Sequence, residues 1–169
     1  MKKFTQVLFI VFLFASIQNS VQAAASGYTL PLNLAVKAAN EAVRFCGASG
    51  YHITATVVNM SGQIKVQLKG DRSTVHTKDT AFRKAYTVVT LGPVFKLDTS
   101  TQVARLMMNN PSKPAFLTVP MITPLPGAVA IKAKNEIVAA IGVGGAPGGD
   151  KDEACAKAGM LIITDKLPK

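Results

Sequence analysis

The order of elements in this sequence, α-ββ-αα-βββ-α, predicts an α+β fold: a mostly antiparallel sheet of five strands with helices covering its faces. Two pairs of apolar runs are each joined by a short polar turn, the pattern of β-hairpins. Residues 51–58 are rich in β-branched side chains, and residues 63–69 alternate polar and apolar across Asn59-Met60-Ser61-Gly62. Residues 128–133 and 137–143 repeat the arrangement across Lys134-Asn135. The helical segments do not alternate singly with the strands, so a doubly wound parallel sheet is excluded.

The elements follow in order. Thr29 can cap a first helix that Pro31 enters near its start, where a missing N–H costs nothing. Leu32, Ala35, Val36, Ala39, Val43 and Cys46 then share one face at helical spacing, and Gly47 stops the helix. Ile64, Val66 and Leu68 form one face of the second strand. Thr77 caps a second helix with Asp79 in its first turn, running to about Leu91 before Gly92-Pro93. A third, short helix starts at residues 98–100 and ends near Asn109-Asn110-Pro111. Residues 115–119 read as a short strand. Gly144 to Gly149 is a glycine-rich loop, after which Asp150 caps the last helix and Glu153 completes a capping-box pattern.

The N-terminus carries a targeting signature. Lys2 and Lys3 precede an apolar run over residues 7–15, and Val21-Gln22-Ala23 supplies small residues for cleavage. The expected organisation is a signal peptide over residues 1–23 and one domain over 24–169, in a protein that is periplasmic or secreted. No later stretch reads as a membrane span, because Lys132 and Lys134 interrupt the most apolar C-terminal region. The processed chain keeps 17 Lys and Arg against 9 acids, a net +8. That balance favours anionic partners, which are carboxylated or phosphorylated small molecules, anionic lipid or nucleic acid. The cations are scattered with no aromatic platform, so nucleic acid is not expected and most of the charge reads as a solvated surface. Cys46 and Cys155 lie on separate helices, 109 residues apart. If those helices pack together, a disulfide stabilises by about 3–5 kcal/mol; otherwise they are two buried thiols acting as small apolar residues. Hydrolytic chemistry finds no G-x-S-x-G elbow and no H-E-x-x-H pair.

Three segments carry a family resemblance. Val57-Val58-Asn59-Met60-Ser61-Gly62 resembles a VVD-x-x-G hairpin turn. Residues 76–87, His76 to Thr87, resemble an A-x-x-K-A-x-T helix. Ala139-Ala140-Ile141-Gly142-Val143-Gly144-Gly145-Ala146, followed by Asp150 and Ala154, resembles G-A-I-G-V-S-G-A…D…A. Together, and in order over about Leu30 to Ile163, they resemble the HbpS/GlcG-like family, described as haem-binding or haem-degrading. Asn59 and Gly144 depart from the family's Asp and Ser. The resemblance implies a profilin-like α/β/α sandwich, a homo-oligomer and haem as the cofactor.

Haem iron takes a His, Met, Cys or Tyr ligand, and its propionates take Arg or Lys. His76 lies in the segment that matches the family most closely and is the candidate metal ligand. Arg72, Arg83 and Lys84 are the candidate propionate cations, and Thr77 and Tyr86 are alternative oxygen donors. The plainer reading of His76 is an exposed residue at a helix start. His52 reads as structural and Met107-Met108 as core. The glycine-rich loop can cradle an anion at the following helix start, or it is a tight turn with a close backbone approach. It is neither a P-loop nor a dinucleotide fingerprint. The alternative to haem is a non-haem oligomeric module that binds a small organic anion or acts as an accessory subunit.

Overall fold

The computed structural model describes residues 27–169, so the signal peptide expected over residues 1–23 lies outside the described residues. Among the described residues the elements are α1 (Leu32–Ala48), β1 (Thr54–Asn59), β2 (Ile64–Lys69), α2 (Thr77–Phe95), α3 (Ser100–Met108), α4 (Lys113–Thr118), β3 (Ala128–Ala133), β4 (Glu136–Gly144) and α5 (Gly149–Leu161), followed by a 3-10 turn at Thr164–Lys166. The four strands form one antiparallel sheet in the order β2-β1-β4-β3. Helices cover both faces, so the fold is α+β as expected, with one strand fewer.

The missing strand is residues 115–119, which coil into α4. Pro114 presets a helical φ in the first turn, where its absent N–H is not needed. Only Phe116 of that segment turns inward, against Val103, Met107 and Ile122. Alternation over five residues could not distinguish this single anchor from a strand.

Alternate side chains of the central strands feed two cores. Ala55, Val57, Ala139, Ile141 and Val143 face α1 and α5. Val58, Ala128, Ala130 and Ala140 face α2. The buried stripe of α1 is Leu34, Ala35, Ala38, Ala39, Ala42 and Cys46. Leu32 and Val36 are exposed, so the apolar face is rotated from the expected one. The helix begins after Pro31 rather than under a Thr29 cap. Cys46 and Cys155 are joined in a disulfide that ties α1 to α5. Gly159 makes that pairing close: a Cβ there would lie 2.3 Å from the Ala38 carbonyl oxygen.

Small residues also bring α2 onto the sheet. A Cβ on Gly142 would sit 2.2 Å from the Ala81 carbonyl, and one on Gly144 2.4 Å from Thr80 Oγ1. The β4 glycines thus serve close packing, and only Gly145 of the loop adopts a positive φ, 128°. Helix α2 continues through Gly92-Pro93 to Phe95. It ends where Lys96 enters the left-handed region and Leu97 N–H returns to the Gly92 carbonyl, at 3.0 Å. Proline interrupted one intrahelical bond without ending the helix, because packing of Leu91 and Gly92 holds the last turn.

Candidate functional site

The N-terminal end of α2 carries the sequence-predicted residues. His76 is its N-cap and is exposed. Its Nδ1 lies 3.2 Å from Thr74 Oγ1. In the tautomer with the proton on Nδ1, that hydroxyl accepts it and Nε2 keeps its lone pair, the arrangement a metal-binding imidazole uses. Val75 beside it is 80% exposed, an apolar side chain open to solvent. Arg72 precedes it in the same loop, exposed, with a left-handed φ of 63°. Arg83 is two turns along α2 and exposed. Its Nη2 donates to the Ile122 carbonyl at 3.0 Å, holding the 119–126 segment against α2. Met121 and Leu125 of that segment are exposed.

The other expected residues are used inside the fold. Thr77 is buried; its hydroxyl lies 2.7 Å from Thr54 Oγ1 and donates to the Thr74 carbonyl, at 2.7 Å. Those bonds anchor the His76 loop to β1. The Tyr86 ring packs on the Gly62 turn and tilts against Phe82, 5.7 Å between centroids. Lys84 is buried, and its Nζ contacts Asp152 Oδ2 at 2.6 Å and the Val143 carbonyl at 3.0 Å. His76, Arg72 and Arg83 are thus exposed, whereas Thr77 and Lys84 are buried and Tyr86 is half-buried.

Asp152 was not legible as a partner. It joins α5 to α2 past the ends of β3 and β4, where Gly127 has no side chain to obstruct it. Its Oδ1 accepts from Ala146 N–H at 2.9 Å, so the glycine-rich loop already holds an anion, the carboxylate of its own helix. Burial pushes the Asp152 carboxyl above its ordinary value, against the opposing pull of Lys84. The expected capping box on α5 is not formed. Gly148 is the N-cap, and Glu153 Oε2 instead accepts from Thr101 N–H and Oγ1, at 3.2 and 2.6 Å, at the start of α3.

A cavity of about 840 Å³ lies at the opposite end of α2. Tyr28, Met60, Pro93 and Ile137 give it apolar walls, and Lys96 and Lys132 line its rim. Lys132 pairs with Asp98 at 3.1 Å. Four separate segments build it, which is why no motif announced it. Among the described residues no cluster of three or more His, Cys, Asp or Glu is placed to hold a metal, and no helix is long and apolar enough to cross a membrane.

A family model described as "Haem degrading protein HbpS-like" matches residues 30–161, nearly the whole described chain. The chain belongs to the HbpS-like family. A crystal structure of HbpS is 33% identical, covering 80% of this chain and 91% of its own, with a TM-score of 0.73. A double mutant of Streptomyces reticuli HbpS is 30% identical, covering 94% and 99%, also with a TM-score of 0.73. A PduOC:heme complex shares the fold at 12% identity and a TM-score of 0.67, covering 79% and 94%. Comparison with curated protein sequences returns no significant match.

Proposed function

We propose that this protein is exported and binds haem at the start of α2, where His76 Nε2 would hold the iron. The observation that carries the reading is the exposed imidazole whose Nδ1 is already engaged by Thr74, on a loop fixed to the sheet through Thr77. The donor set fits: one imidazole for iron, Arg72 and Arg83 for propionates, and the exposed apolar side chains Val75, Met121 and Leu125 for the macrocycle. Bound there, haem supplies iron that ligates or undergoes redox change; the protein's residues bind and orient it. HbpS relatives and the haem-complex fold neighbour support this reading. Sequestering or sensing haem is the role proposed, with any degrading activity secondary. The disulfide supports export, since such bonds persist in oxidising compartments. The open face at His76 suits a homo-oligomer in which a second copy closes over it.

Hemin titration tests the proposal. The expected result is a saturable shift of the haem absorbance maximum that His76→Ala abolishes and His52→Ala preserves. An unchanged titration in His76→Ala rejects the ligand assignment.

The cavity at the other end of α2 favours a second reading. A small organic anion with an apolar body would fit against Lys96 and Lys132. A thermal midpoint raised by such carboxylates and not by hemin would select this reading.

A further inference from the structure

The outer surface formed by the end of α2 with α3 and α4 has no role in either reading apart from Lys96, which also lines the cavity. The Phe95 and Phe116 rings meet edge to face, 6.4 Å apart, joining the end of α2 to α4. Around this pair the apolar side chains turn outward: Val94 is 70% exposed, Met108 69% and Leu117 45%. No residue of α4 is buried. Exposed apolar groups clustered in this way mark a contact surface.

The charge around them has one sign. Lys96 follows the last residue of α2, Arg105 lies on α3 and Lys113 opens α4, the three elements that carry the apolar groups. Between Asp79 and Glu136 the sequence holds a single carboxylate, Asp98, and Lys132 engages it. A second copy docking by this same face about a two-fold axis would bring those cations against their own equivalents. A surface of apolar interior and negative charge has the complementary chemistry. Long Lys and Arg side chains reach outward to headgroups while neighbouring apolar groups enter the acyl boundary.

We propose that the α2–α3–α4 surface binds the face of an anionic phospholipid bilayer, with Val94, Met108 and Leu117 entering it and Lys96, Arg105 and Lys113 meeting its phosphates. Vesicle flotation of protein beginning at Ala24, which includes every described element, tests this. Vesicles of phosphatidylglycerol with phosphatidylcholine should bind the protein at least about tenfold more than phosphatidylcholine alone, and salt should weaken the binding. Arg105→Gln with Lys113→Gln should remove most of the difference. Val94→Asp with Leu117→Asp should abolish binding at an unchanged thermal midpoint, because both positions are exposed. Equal binding to neutral vesicles, or undiminished binding in both variants, overturns the proposal. So does absence of vesicle binding with an oligomer that Val94→Asp and Leu117→Asp dissociate.

Discussion

At the scale of single residues, the Lys84–Asp152 pair has the highest stakes in the molecule. Both groups are buried, and each fills its remaining valence with backbone: Lys84 donates to Val143 and Asp152 accepts from Ala146. Removing one partner from such a pair costs about 3–5 kcal/mol, because the other charge is left buried alone. Thermal unfolding of Lys84→Met should show a loss of that order, and combining it with Asp152→Leu should recover most of it. The pH dependence follows from the raised Asp152 pKa, due first to burial. The folded state holds this proton more tightly than the unfolded chain does. The group's contribution is thus fully present below its ordinary value of 3.8 and is lost as pH rises through the folded value. Lys84→Met removes the opposing cation, so its melting temperature should fall more steeply than the parent's as pH is raised from about 4. A parallel pair of curves would show that Asp152 is not coupled to Lys84. None of this was legible from Lys84 in the sequence. Helical spacing sets which face a residue occupies, and the partner came from an element 68 positions away.

Among the elements, the hairpins and the long helices were legible because each has a strong period of its own. The register of β3 with β4 lies where the turn residues put it. Helix α2 starts at Thr77 after a His76 N-cap, so Thr77 does not cap it as expected, because its hydroxyl is spent on Thr54 and the Thr74 carbonyl. The errors fall where tertiary packing outweighed a local rule. Residues 115–119 coil around the single anchor Phe116, α2 passes through Pro93, and Glu153 caps α3 rather than its own helix. The pairing of α1 with α5 also decides the state of Cys46 and Cys155. Sequence spacing left a disulfide and two separate thiols both open, and the close approach at Gly159 brings the Cα atoms to 5.6 Å. A bridge closing about 109 residues stabilises by roughly 4–5 kcal/mol on the chain-entropy account. Cys46→Ala with Cys155→Ala should lower the melting temperature markedly, and reductant under denaturing conditions should bring the parent protein to the same value. A variant that melts with the oxidised parent would show that the bridge adds nothing to stability.

For the whole molecule, α2 organises what the protein offers to other molecules. Its N-cap is the exposed His76, with Arg72 in the preceding loop and Arg83 two turns along, its middle is locked to β4 by glycine contacts, and its last turn opens on the cavity and on the cationic apolar surface. The first of these regions was a candidate in the sequence, because a histidine at a helix start in a family-like segment is a local feature. The cavity and the surface are assembled from separate segments and were invisible until the chain was folded. The haem site proposed for this protein is the His76 end of α2. Amide NMR of the protein with a diamagnetic gallium protoporphyrin tests it most directly. Perturbations should concentrate over residues 71–83 and near Ile122 and be absent in His76→Ala. Perturbations concentrated instead at Tyr28, Met60, Lys96 and Ile137 would place the porphyrin in the cavity and contradict it.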